Sequence, residues 1–171
     1  MTKFRRLTCL ALLSLLPACG YQPVLSTGTT DGNTTVAEAL RGIEVATIED
    51  RQGQVLRNHL IDRLHRQGAQ PADQGTLKIR LSEQEVVLSR DKEDAATRAQ
   101  MAVTANWQLV RGTEVRLKGN SRGIAGFNIP EAQFSARADE EDARARALEE
   151  LAEDITTRLT LFLASDNQMP Q

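Results

Sequence analysis

The sequence predicts an α+β fold, a two-layer sandwich in which two helices cover one face of a four-stranded mixed sheet. Three observations lead to this prediction: a short strand followed by an amphipathic helix, three further apolar strand segments, and a long amphipathic helix at the end. The element order is therefore β-α-β-β-β-α. Because both amphipathic stripes must be buried, we expect the helices on one face of the sheet, with the other face open or against a partner.

Composition limits the functions that are open to this chain. It has 171 residues, of which 40% are hydrophobic and 26% charged, so it is neither a multi-span membrane protein nor a wholly disordered chain. A formal net charge of only −2 gives no reason to expect a nucleic-acid partner. Aromatic residues make up 4%, which weakens any site that would bind bases or sugars by stacking.

The first strand and the first helix lie between residues 43 and 66. Ile43 and Val45 begin an alternating segment that predicts a short, mostly buried strand. A helix is predicted over residues 51–66, where four apolar residues share one face: Leu56, Leu60, Ile61 and Leu64. Gly68 suits the position after the helix, and Pro71 prevents its continuation.

The second strand begins with an alternating segment at Leu77, Ile79 and Leu81. The strand continues at Val86, but this apolar residue is out of step with the alternation of Leu77, Ile79 and Leu81. A shift of this kind predicts a bulge or bend near residues 82–85.

The third strand has the clearest pattern, an unbroken alternation of Met101, Val103, Ala105, Trp107 and Leu109. We expect Trp107 in the core, with contact to a partner as the alternative. Gly112 and Thr113 suit a two-residue hairpin turn. The fourth strand opens at Val115, and three glycines predict an irregular or strongly bent far half: Gly119, Gly123 and Gly126.

A long helix is predicted over residues 139–163. Its apolar residues fall within about one third of the helix circumference; they are Leu148, Leu151, Ala152, Ile155, Leu159 and Phe162. Acidic residues open the helix over residues 139–142, where the helix dipole favours negative charge. We interpret the carboxylates of this helix as a solvated face rather than as a catalytic pair.

The N-terminus has the features of a lipoprotein export signal. Three basic residues precede an apolar run over residues 7–16, about half of the roughly 20 residues that cross a bilayer as a helix. The run ends in Leu16-Pro17-Ala18-Cys19, the pattern of a bacterial lipobox. The sequence therefore predicts a signal peptide over residues 1–18 and lipid attachment at Cys19. An ordinary signal peptide with a nearby cysteine is the alternative.

Acyl chains on Cys19 would attach the protein to a membrane. Gly20 stands where an Asp commonly signals inner-membrane retention in Gram-negative bacteria, so we expect the periplasmic side of the outer membrane. The lipidated N-terminus and a flexible tether are predicted over residues 19–41, because this segment is rich in small polar residues. A single domain then spans residues 42–165, and residues 166–171 form a tail.

No catalytic, metal or cofactor site is expected. Residues 119–123 match the G-x-S-x-G pattern of serine hydrolases, but that motif needs a His after Ser121, and both histidines precede it. His59 and His65 lie about 120° apart on a helix and cannot share a metal ion without a third element. No phosphate-binding glycine loop opens a helix.

Three cations crowd the connection between the second and third strands: Arg90, Lys92 and Arg98. Ammonium and guanidinium groups pair with phosphate, so these residues are candidates for binding the phosphates of an anionic glycolipid such as lipopolysaccharide. A plain charged turn is the alternative, because Asp91 and Glu93 are interleaved with them.

The residues after the lipobox resemble the mature start of the LptE family. Cys19-Gly20-Tyr21-Gln22-Pro23-Val24 has the family's order of lipobox Cys, Gly, an aromatic residue, a polar residue and Pro. Val24 and Leu25 stand where family members often have Leu and a second aromatic residue. The element order is also similar: a tether, a strand, a helix, three meandering strands and a long C-terminal helix.

This resemblance implies the lipoprotein subunit of the outer-membrane lipopolysaccharide translocon, without catalytic residues. Such a subunit sits in the lumen of a large, LptD-like β-barrel partner, which it plugs and helps to assemble. It thereby aids insertion of lipopolysaccharide at the cell surface. A generic periplasmic lipoprotein that binds a soluble or cell-wall partner is the alternative.

Overall fold

The structure is a computed structural model that describes residues 36–66, 68, 74–90, 92 and 96–166. Its elements are α1 (Val36–Arg41), β1 (Ile43–Val45), α2 (Asp50–Leu64), β2 (Gly75–Arg90), β3 (Ala96–Arg111), β4 (Glu114–Asn128) and α3 (Gln133–Asp166). The predicted α+β class, mixed four-stranded sheet and β-α-β-β-β-α order are confirmed, with α1 added in front of β1. In this part of the chain, no helix is both long enough and apolar enough to cross a membrane.

The sheet has the strand order β1-β2-β3-β4. The short strand β1 pairs with β2 in parallel, from Ile43↔Gly75 to Val45↔Leu77. β2, β3 and β4 form an antiparallel meander of strands that are 15 or 16 residues long, about 50 Å each. Gly112, at a φ of 61°, makes the predicted tight turn between β3 and β4.

One face of the sheet, here called the helix face, carries the odd-numbered side chains of β2 and β3 and those of β4 from Leu117 on. Leu77, Leu109 and Leu117 form one row across the three strands. In the next row Trp107 is 4% exposed, which confirms its predicted place in the core. The helix α3 covers this face with a buried stripe: Ala143, Ala147, Leu148, Leu151, Ala152, Ile155, Leu159 and Leu163.

The predicted bulge near residues 82–85 is wrong. β2 keeps an unbroken register with β3 from Thr76 to Val87, and its irregularities lie between Val87 and Arg90. Glu83 and Glu85 occupy helix-face positions that stay exposed, so polar residues are tolerated there. The apolar parity therefore shifts because burial ends, while the backbone stays regular.

The predicted irregularity in the far half of β4 is also wrong, since β4 pairs regularly with β3 from Leu117 to Asn128. A Cβ on Gly119 would lie 2.5 Å from Cζ2 of the Trp107 ring. A Cβ on Gly123 would lie 1.9 Å from the backbone oxygen of Ala147 in α3. These two glycines allow a ring and a helix to lie close against a regular strand.

The end of the predicted tether is helical. α1 spans Val36–Arg41, and its Ala39 and Leu40 are buried in the core. Burial of these apolar side chains explains why this segment packs against the rest of the fold. The other residues of the predicted tether lie outside the described residues.

We expect Gly123→Ala to lower the free energy of unfolding by about 1–3 kcal/mol, because the new methyl group would overlap the Ala147 carbonyl. Gly126→Ala in the same strand is the matched control, since the nearest atom to its Cβ is 3.9 Å away. The control should be as stable as the wild type or slightly more stable. Urea unfolding followed by circular dichroism measures both variants, and equal midpoints would contradict the close contact between β4 and α3.

Candidate functional site

The second face of the sheet, here called the open face, carries the even-numbered side chains of β2 and β3 and those of β4 from Lys118 on. The helices pack on the opposite face, so most of these side chains are exposed. Polar residues dominate across the three strands: Ser82, Gln84, Gln100, Thr104, Asn106, Gln108 and Asn120. A surface of this kind can bind a polar partner but offers no enclosed space for a reaction.

Four exposed cations form a cluster on the open face, and Arg98 lies on the same face at the far end of β3; the four are Lys78, Arg80, Lys118 and Arg122. Among the described strand residues, Glu44 at the β1 corner is the one carboxylate on this face, and it accepts a hydrogen bond from Thr76 at 3.5 Å. None of the four cations forms an ion pair with another described residue. The open face therefore has a local positive charge in a chain whose formal net charge is −2.

The strand register fixes how these cations are spaced. Lys78 and Lys118 lie in one row on either side of Gln108, which places their Cα atoms about 10 Å apart. Arg80 and Arg122 lie one and two rows further along the strands, at about 7 Å per row. This spread suits several separate anionic groups better than a single phosphate.

These four cations were not singled out from the sequence as site residues. A signal was available, because Lys78 and Arg80 alternate with the apolar residues Leu77 and Ile79. Alternation of this kind places basic and apolar side chains on opposite faces of a strand. Their clustering with Lys118 depends on the register between distant strands, which the local pattern does not contain.

The structure brings the three predicted phosphate-binding residues together at one tip of the molecule. Arg90 and Arg98 lie near the paired ends of β2 and β3, and Lys92 lies in the connection between them; all three are exposed. A hydrogen bond of 2.9 Å between the hydroxyls of Ser89 and Thr97 joins the two strands there. Binding of glycolipid phosphates at this tip stays a prediction. Cys19, the predicted lipid attachment site, lies outside the described residues.

Ser121 is a structural residue in the middle of β4. Its hydroxyl is buried and accepts a hydrogen bond of 2.9 Å from the indole nitrogen of Trp107. A hydrolase nucleophile would instead stand at a strand-to-helix turn. The Ser121 hydroxyl thus satisfies the one polar atom of a buried indole.

The two histidines, His59 and His65, do not form a joint site among the described residues. The Nε2 atom of His65 lies 2.9 Å from the backbone oxygen of Ile43, so this ring links the end of α2 to β1. Within the described ranges, no group of three or more His, Cys, Asp or Glu residues could hold a metal ion.

Arg144 connects α3 to the outer half of β2. Its guanidinium donates hydrogen bonds to Glu83 at 3.0 Å and to Glu140 at 2.6 Å. Partial burial acts to lower the pKa of Arg144, but the bonds and charges of Glu140 and Glu83 outweigh it and raise the pKa above its ordinary value. The Arg144 guanidinium therefore stays positively charged across the ordinary pH range.

A family model described as "LptE: Lipopolysaccharide-assembly" matches residues 40–159. The match runs from the end of α1 into the last third of α3 and includes all four strands. A search of curated proteins gave no match.

Two solved structures are similar to this chain. One is a candidate lipoprotein from Caulobacter crescentus CB15, with 26% sequence identity and a TM-score of 0.61 over 75% of this chain and 96% of that chain. The other is a minor lipoprotein from Acinetobacter baumannii, with 15% identity and a TM-score of 0.55 over 71% of this chain and 92% of that chain. At 15% identity, the second likeness concerns the fold alone.

We expect Arg144→Gln to loosen the outer half of β2 by about 1–2 kcal/mol, because Glu83 loses its charged donor on α3. Amide hydrogen exchange in β2 measures the effect. Arg158→Gln is the matched control, since Arg158 pairs with Asp154 of its own helix. Equal exchange rates in β2 for the two variants would show that Arg144 does not hold this strand.

Proposed function

The chain belongs to the LptE family of lipopolysaccharide-assembly proteins, and we propose that it is the lipid-anchored subunit of an outer-membrane lipopolysaccharide translocon. In this proposal it plugs a large, LptD-like β-barrel partner, helps that barrel to assemble, and aids insertion of lipopolysaccharide at the cell surface. The role is one of binding and positioning and uses no catalytic residue.

The observation that carries the proposal is the family match over residues 40–159. This range includes the whole sheet and most of α3, so the match concerns the entire fold rather than one motif. The similar Caulobacter protein, a candidate lipoprotein, supports the envelope location.

The open face supports a place inside a barrel. The interior of a transmembrane barrel is polar, so a plug needs a polar surface with few large apolar groups. On the open face, amide and hydroxyl side chains surround the cations Lys78, Arg80, Lys118 and Arg122. These charges would attract acidic side chains on the barrel wall and fix the orientation of the plug.

The tip formed by Arg90, Lys92 and Arg98 supports a contact with lipopolysaccharide. Its cations are exposed at one end of the long β2–β3 hairpin, where a bulky glycolipid could approach without meeting the helices. Charge-assisted hydrogen bonds to phosphate would provide the attraction. The tip lies about 34 Å along β3 from the row that holds Lys78 and Lys118, so the plug and glycolipid contacts would use regions that are far apart.

We expect a C-terminally tagged chain, extracted from native outer membranes with mild detergent, to recover a β-barrel protein in a stable complex. Mass spectrometry of the bound fraction identifies the partner. Depletion of the chain should also reduce the amount of matured barrel in the membrane. Recovery of a soluble or cell-wall protein in place of a barrel would contradict the proposal and favour a generic periplasmic lipoprotein.

We expect Cys19→Ala to abolish acylation and release the protein from membranes, because the anchor would be a thioether on this residue. Cys9→Ala is the matched control, since Cys9 lies inside the predicted signal peptide and should be absent from the mature chain. Mass spectrometry of the N-terminal peptide and membrane fractionation provide the readouts. A Cys19→Ala protein that keeps its lipid mass would show that the anchor lies elsewhere.

A further inference from the structure

The two long edges of the sheet differ in how they are covered. On the outer edge of β4, the Ile124 amide donates a hydrogen bond of 2.9 Å to Glu150 of α3. The Gly126 carbonyl on the same edge accepts a hydrogen bond of 3.2 Å from Arg146. Side chains of α3 therefore occupy this edge, which blocks pairing with another strand.

Among the residues that the structure describes, the edge of β2 has no such cover beyond its short pairing with β1. The last bond across that pairing runs from the Ala46 amide to the Leu77 carbonyl, so odd-numbered residues of β2 direct their backbone groups outward. From Leu81 to Val87, these outward groups have no hydrogen-bond partner among the described residues. The register is regular throughout this stretch, so no bulge turns the edge away.

The side chains along this free edge are also uncovered. Residues 82–90 are exposed except for the half-buried Val86, and Val87 and Leu88 are 40% and 53% exposed. The bond between Arg144 and Glu83 joins this half of β2 to α3. The fold itself buries little of the surface of this ordered strand. A partner strand that pairs with its edge would bury more of that surface.

We propose that the free edge of β2 from Leu81 to Val87 binds an extended segment of the partner protein, which adds a strand to the sheet. The inference rests on the proposed function, because the partner is taken to be the β-barrel protein. Backbone hydrogen bonds would supply the attachment, and the flanking side chains would select the segment.

The charges beside the edge define the segment that fits. On the open face, Arg80 favours an acidic residue opposite it, whereas Glu83 and Glu85 on the helix face favour basic residues. The apolar pair Val87 and Leu88 favours an apolar residue at the tip end. The added strand is therefore mixed in charge, in contrast to the acidic wall expected against the open face.

A second copy of this chain fits the edge poorly. Antiparallel pairing of two β2 edges about the centre of the free stretch, at Gln84, would place Glu83 of one chain opposite Glu85 of the other. Like charges directly opposite each other destabilise a strand pair. A partner segment with basic residues at these positions avoids this repulsion.

Glu85→Pro and Glu85→Ala form a matched pair of tests. Both remove the carboxylate, but only proline removes the outward N–H and places its ring on the edge; the bonds to β3 come from the even-numbered residues and remain. We expect Glu85→Pro to lower the recovery of the barrel from membranes by about tenfold or more, and Glu85→Ala to recover it nearly as the wild type does.

Hydrogen exchange on the wild-type chain, free and in the purified complex, gives a second readout that does not depend on a proline variant. The outward amides of Leu81, Glu83 and Glu85 should exchange rapidly in the free chain and at least about tenfold more slowly in the complex. The inward amide of Gln84 is the internal control, because it is already bonded to β3.

The outcomes separate the two proposals. Equal barrel recovery by the wild type and both variants, with unprotected outward amides in the complex, would overturn the edge contact and leave the proposed function intact. Failure of the wild type to recover a barrel would instead overturn the proposed function, and this inference with it. Protection of the same amides in the purified chain as its concentration rises would overturn the inference in favour of a second copy.

Discussion

The close approach of α3 to β4 at Gly123 is the contact on which the rest of the structure depends. Only a residue without a side chain allows the Ala147 carbonyl to lie where a Cβ would otherwise be, 1.9 Å away. The small residues Ala143, Ala147 and Ala152 continue this close seam along the helix. A 34-residue helix thereby covers strands of about 50 Å and keeps the apolar part of the fold on one side.

This one-sided packing explains the surfaces that we assign to binding. With most of the large apolar side chains on the helix face, the opposite face carries mainly polar residues around the cations Lys78, Arg80, Lys118 and Arg122. The same helix covers the β4 edge through Arg146 and Glu150, whereas the outer half of β2 is joined to it by Arg144. In its described part, the molecule thus has one face largely covered by helices, one polar and basic face, and one uncovered edge, an arrangement that suits a subunit that binds a partner.

Much of the fold follows from local sequence patterns, because alternation and helical spacing report directly on burial. The alternation around Trp107 predicts both a strand and a core position, and the structure confirms both. The parity shift before Val86 and the glycines of β4 were misleading, since periodicity reports where burial ends and does not report backbone geometry. Gly123 is required by a helix far along the chain, and no local pattern contains that information.

In the candidate site too, some features follow from the local sequence and others depend on contacts between distant segments. The cations Arg90, Lys92 and Arg98 are close in the sequence, so their grouping at one tip could be predicted. The cluster that joins Lys78 to Lys118 depends on the register of three strands, and the free edge of β2 depends on how short β1 is. Both features depend on how distant segments of the chain are arranged in the sheet, which local sequence patterns do not report.

The claim that the open face lies against a barrel wall is tested most directly by a photo-crosslinking amino acid at Asn106, near the centre of that face. Irradiation of native outer membranes should yield one adduct that contains this chain and a β-barrel protein. An Asn106 probe that reacts with no barrel protein, in membranes where the chain is present and lipid-anchored, would contradict the account.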